Sequence, residues 1–123
     1  MIAYTTIGTN DLARAGQFYD ALLKEVGAGR AMDMGRLIAY AAGEGQPMFA
    51  ICTPFDEKKA TPGNGNMIAL AAENPAAVDR LHARALELGA TDEGAPGVRA
   101  EAFYIGYVRD LDGNKLNFFC PAS

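Results

Sequence analysis

The chain has 123 residues, 50% of them hydrophobic, and a formal net charge of -4 at pH 7. This is enough apolar material for one compact domain of ordinary size, and it argues against a disordered half or a second independent core. The acidic balance, with no Lys/Arg cluster beyond Lys58-Lys59, excludes a surface that tracks phosphates, so no nucleic acid is expected as a partner.

The first residues, Met1 to Thr6, have neither a basic nor a long apolar region, and no run approaches a membrane span in length. The expectation is a cytoplasmic protein with no membrane partner. Cys52 and Cys120 each end an apolar run, which in a reducing compartment fits free thiols better than a disulfide.

Taken in order, Ile2 to Thr9 is β-branched and alternating, and Asn10 or Asp11 then caps a helix. Its apolar stripe runs Leu12, Ala15, Phe18, Tyr19, Leu22, Leu23 and Val26, with Gly27 and Gly29 as stops. Three strand-like runs follow: a weak one at Arg30 to Met34, then Arg36 to Ala42 and Met48 to Thr53, the last two joined by a turn at Gly43 to Pro47. Pro54 to Gly65 is the one linker-like segment.

After it the order repeats. A strand spans Asn66 to Ala72, Asn74-Pro75 supplies a cap and first helical position, a helix spans Ala76 to Leu88, and Gly89 stops it. A weak extended segment at Thr91 to Arg99 and a strand at Ala102 to Arg109 come next. The turn Asp110 to Asn114 and a strand at Lys115 to Cys120 then complete a second βαβββ unit.

The halves align. With an offset of 63, from 67 minus 4, Tyr4 falls on Met67 and Ile7 on Leu70; with 68, from 120 minus 52, Phe49 falls on Asn117 and Cys52 on Cys120. The expected fold is α+β: a single domain over 1–123 made of a module at 1–60 and a module at 61–123. Each module's sheet curls, with one face under its helix and the other left as a concave wall. Alternation places Tyr4, Thr6 and Gly8 on that wall, and the repeat adds Met67, Ala69 and Ala71, with Phe49 and Asn117 from the two last strands.

These residues carry a resemblance. Ile7-Gly8-Thr9-Asn10-Asp11-Leu12 followed by Phe18-Tyr19, the Gly94-Ala95-Pro96-Gly97 loop, and Val108-Arg109-Asp110-Leu111-Asp112-Gly113-Asn114 resemble the glyoxalase/bleomycin-resistance family of the vicinal oxygen chelate superfamily, over essentially the whole chain. The resemblance implies two βαβββ modules around a concave cleft, a glyoxalase-like activity and a homodimer. Metal-using members hold a divalent ion through His, Gln or Glu, one from each of four strands.

Carried over by position, those ligands fall on Tyr4, Phe49, Met67 and Asn117. Phe and Met offer nothing to a hard cation, a neutral Tyr hydroxyl is a poor ligand, and one amide carbonyl does not hold an ion alone. The expectation is therefore no catalytic metal and no cofactor. In its place stands a small, largely apolar ligand in a cleft lined by Tyr4, Thr6, Phe49, Met67, Glu101, Tyr104 and Asn117.

Among the other candidates, Arg36, Arg99 and Glu101 sit at strand edges, and Tyr107 faces opposite to Tyr104 and Gly106 by parity. The sole histidine, His82, reads as a solvated helix residue. The run Asp110 to Asn114 begins like a calcium loop but lacks the bidentate Glu at the twelfth position, so it reads as a turn. No nucleophile and base pair is visible, so no catalytic residue is assigned and catalysis stays open. Two alternatives stand beside the binding module: a metal-dependent glyoxalase-type lyase, and a non-catalytic interaction protein.

Overall fold

A computed structural model describes residues 1–122, and contact clustering divides the chain into two units, Met1–Pro62 and Gly63–Ser123. In the first, β1 (Tyr4–Gly8) leads into α1 (Leu12–Leu23), followed by β2 (Gly29–Asp33), β3 (Leu37–Ala41) and β4 (Met48–Cys52). Asp11 is the N-cap, its carboxylate accepting from the Arg14 amide at 3.0 Å. Gly27, in the left-handed region at φ 72, turns the chain out of the short 3-10 turn that ends the helix.

The sheet order is β1-β4-β3-β2, with β1 parallel to β4 and the other pairs antiparallel. Every residue of β2 is exposed. It is an edge strand with neither face buried, so selection for alternation is absent and its sequence signal is weak.

The second unit repeats the order: β5 (Ile68–Ala71), α2 (Pro75–Glu87), β6 (Thr91–Arg99), β7 (Phe103–Arg109) and β8 (Lys115–Pro121), in the sheet order β5-β8-β7-β6. Asn74 caps α2 by accepting from the Ala77 amide at 2.9 Å, with Pro75 in the first turn. The extended segment at Thr91 to Arg99 is a full strand on the sheet edge. Its pairing to β7 slips between Asp92 and Gly94 and again between Gly94 and Gly97, which accommodates Pro96.

In the first unit the core lies between α1 and its sheet. Tyr19 stacks on Phe49 with ring centroids 5.0 Å apart, and the buried Tyr40 donates to the Asp20 carboxylate at 2.8 Å, with the Gly16 carbonyl at 3.2 Å. Arg30 closes the same group with two hydrogen bonds to Asp20, at 2.9 and 3.0 Å. Those bonds from Arg30, ahead of the one from Tyr40, hold the Asp20 carboxyl below its usual range. Burial, reinforced by the Asp20 carboxylate, pushes the Tyr40 hydroxyl up.

In the second unit the turn between β7 and β8 is built on Asp110. Its Oδ1 accepts from the amides of Asp112 and Asn114, both at 2.9 Å, and its Oδ2 from Asn114 Nδ2 at 3.1 Å. Gly113 supplies φ 86, which an L side chain rarely adopts.

Asp110→Ala is expected to cost about 2–3 kcal/mol, since buried backbone donors lose a charged acceptor; urea unfolding reads this as a lower midpoint. For Asp20→Asn the loss is present at pH 7. A carboxyl whose folded pKa is depressed stabilises above its unfolded value, so the gap between wild type and variant should close as the pH falls below about 4. A gap that widened on acidification would reverse the assigned sign.

Candidate functional site

Register fixes which side chains stand under each helix. In the first unit Phe49 and Tyr40 pack on α1, so their register partner Thr5, and Ile7, Ile38 and Ile51 two positions on, share that face. The helix-free face carries Tyr4, Thr6 and Gly8 from β1, Met48, Ala50 and Cys52 from β4, and Ala39 from β3. Tyr4 is 57% exposed there.

In the second unit the hydroxyl of Tyr104 donates to Asp79 of α2 at 2.7 Å, and a side chain on Gly106 would strike the His82 ring. Tyr104, Gly106, Val108, Leu116, Phe118 and Cys120 therefore face α2. The helix-free face carries Ile105, Tyr107, Arg109, Lys115, Asn117 and Phe119, with Ala69 paired to Asn117. Met67, immediately before β5, is 41% exposed.

Two of the expected wall residues are thus placed on the wrong face. Phe49 is a core aromatic under α1 and 7% exposed. The offset of 68 caused the error. The link between β3 and β4 runs from 42 to 47 and that between β7 and β8 from 110 to 114, one residue shorter, so matching Gly45 to Gly113 slipped β4 by one position. A one-residue slip moves every side chain to the other face.

Register gives the correct offset. Thr5 pairs with Phe49 and Ile68 with Leu116, so Phe49 corresponds to Leu116, an offset of 67 from 116 minus 49, and Ala50 corresponds to Asn117. Tyr104 is the second correction, since its hydroxyl is committed to Asp79, and Tyr107 takes the free face in its place. Glu101 lies in the exposed turn between β6 and β7 at φ 60. Neither is grouped with Tyr4, Thr6, Met67 or Asn117 by any hydrogen bond or ion pair described.

His82 also departs from expectation. It is 6% exposed, occupying the space that Gly106 leaves open, and its Nε2 lies 3.1 Å from Asp92 Oδ1. The Gly94 amide, then His82, hold the Asp92 carboxyl below its usual range. Gly106 was the available signal: a glycine in mid-strand marks a close approach from a neighbour.

The free face of the second unit has two further features. Asn117 is 4% exposed, and its Oδ1 is buried without a hydrogen-bond partner. Lys115 and Arg99 both approach the ring of Tyr107, at 5.3 and 5.9 Å from its centroid. Beside them lies a cavity of about 280 Å³ lined by Asn64, Gly65, Asn66, Met67, Arg109 and Lys115. In the first unit a wider cavity of about 650 Å³ is bordered by Arg30, Ala41, Gln46 and Met48.

Among the described residues no three of His, Cys, Asp and Glu are grouped to hold a metal ion. With β4 in its proper register, the positions facing away from the helices offer Tyr4, Met48 or Ala50, Met67 and Asn117. Taken one by one, a phenol, a thioether, an alanine methyl and a neutral amide are poor ligands for a divalent cation.

Asn117 yields a paired prediction. Asn117→Leu removes a buried oxygen that has no partner, so stability should stay within about 1 kcal/mol of wild type or rise. Asn117→Asp buries a carboxylate there and should cost about 2–4 kcal/mol at pH 7, with the loss shrinking on acidification as the carboxyl takes a proton. Urea unfolding at pH 5 and pH 7 checks both signs.

Comparison with known proteins follows the same outline. No helix of the described residues is long and apolar enough to cross a membrane, and no curated protein matches the chain. Among solved structures, a glyoxalase/bleomycin resistance protein from Albidiferax ferrireducens T118 is 36% identical, with a TM-score of 0.89 and 97% of each chain covered. The fold is also shared with a lactoylglutathione lyase from Agrobacterium tumefaciens at 22% identity, a TM-score of 0.70, and 97% and 92% coverage of the two chains. A family model matches residues 1–118, and the chain belongs to the Glyoxalase/Bleomycin resistance protein/Dioxygenase superfamily.

Proposed function

We propose that this chain is a metal-independent member of the superfamily that binds a small molecule against the helix-free face of its second sheet. One observation carries the reading: that face combines an accessible apolar side chain, Met67, with Tyr107, Asn117 and an adjoining cavity of about 280 Å³. The cavity is lined mainly by polar side chains, with Met67 its one large apolar surface and the Tyr107 ring beside Lys115, and such polar groups fix the orientation of a small ligand.

The donor chemistry supports the metal-free part. A glyoxalase-type step that uses a Lewis acid needs several hard or imidazole ligands around one ion. Tyr4, Met67 and Asn117 supply a phenol, a thioether and an amide, and the β4 position supplies either Met48 or Ala50. No acid/base pair is set against this face: His82 is held under α2 by Asp92, and the Tyr104 hydroxyl is held by Asp79. A cytoplasmic homodimer completes the proposal, resting on the family resemblance, with no helix among the described residues long and apolar enough to cross a membrane.

Protein purified without chelator is expected to carry a divalent metal far below one per chain by elemental analysis. Added zinc, nickel or manganese should leave Tm unchanged, whereas a library of small aromatic and apolar molecules should contain compounds that raise it. Stoichiometric metal would favour the metal-dependent lyase instead, and a library in which no compound shifts Tm would end the binding reading.

A further inference from the structure

On the free face of the second unit, two cations, Arg99 and Lys115, approach the ring of Tyr107. Among the described residues Arg30, Arg84 and Arg109 make ion pairs, with Asp20, Glu87 and Glu93; what sets Arg99 and Lys115 apart is that both approach one ring, that of Tyr107. In a chain of net charge -4, two cations beside one aromatic ring form a local concentration of positive charge.

Arg99 is held in place by backbone. A Cβ on Gly97 would stand 2.9 Å from its Nη1, and one on Gly94 would stand 3.7 Å from its Nη2, so the two glycines leave the space that the guanidinium fills. Its Nη2 donates to the Ala95 carbonyl at 2.8 Å. That bond uses one of five N–H donors and leaves others for a ligand.

Lys115 is placed by the Asp110 turn at the first position of β8, where it lines the cavity together with Met67. Tyr107, register partner of Asn117, lies between the strand that carries Arg99 and the strand that carries Lys115.

We propose that the molecule bound on this face is an anion: a small carboxylate or phosphate whose charged group is held by Lys115 and Arg99 and whose body lies against Tyr107 and Met67. This deepens the small-molecule reading above and rests on it. On this partly exposed face the attraction between the cations and an anion is weakened by salt.

The test is an NMR titration with benzoate, phenyl phosphate and the neutral benzamide, following the ring signals of Tyr107. At least one anion is expected to bind about tenfold more tightly than benzamide, with the preference reduced at high salt. Which anion binds more tightly identifies the preferred group. Lys115→Met should abolish the preference and Lys115→Arg should restore it, with urea midpoints showing that both variants fold.

Equal binding of anions and amide, or a preference that survives in Lys115→Met, would overturn the inference and leave the small-molecule reading standing. Should none of the three probes move Tyr107, the inference also fails. The thermal-shift library then decides the small-molecule reading separately.

Discussion

The carboxylate of Asp110 decides the chemistry of the second unit. By accepting from two amides and from the Asn114 side chain it closes the turn between β7 and β8 at one length. That length sets Tyr107 opposite Asn117 and Gly106 opposite Phe118. Because side chains alternate along a strand, the same register sends Phe118, Leu116 and Val108 under α2 and leaves Lys115, Asn117 and Tyr107 on the free face. The corresponding link in the first unit is one residue longer, and there Ala50 occupies the position of Asn117.

The two units therefore share a frame and differ in what the frame carries. Under each helix the side chains are large and committed: Tyr19, Tyr40 and Phe49 in one unit, Leu81, Val108 and Phe118 in the other. Buried polar groups on those faces have partners, as with Tyr40 on Asp20 and His82 on Asp92. On the free faces the first unit has Tyr4, Thr6 and Met48 around the small Ala39 and Ala50, whereas the second has the ring of Tyr107, the cations Arg99, Arg109 and Lys115, and the Asn117 amide oxygen, which has no partner among the described residues. The polar and charged side chains of the free faces are therefore concentrated in the second unit.

Residues that act locally were legible in the sequence. Asp11 and Asn74 cap helices because short polar side chains reach the free amides of the first turn. Gly27, Gly89 and Gly113 take left-handed angles where they were read as stops or turn residues. Residues whose role depends on a second strand or on a neighbouring helix were not. Phe49 was displaced by a one-residue difference in loop length, Tyr104 by the choice between two faces of one strand, and His82 by the space that Gly106 opens beside it.

The sequence by itself determined the α+β class, the internal repeat, the order of elements and the family, because caps, stops and alternation are short-range and survive without knowledge of contacts. Residue type alone also says that the side chains of Tyr4, Met67 and Asn117 are each poor ligands for a hard cation. Tertiary structure decided which face each residue occupies and which charges come together. Facing is a property of register, set by hydrogen bonds between strands far apart in the chain, and both the pairing of Arg109 with Glu93 and the approach of Lys115 and Arg99 to Tyr107 exist only once β6, β7 and β8 lie side by side.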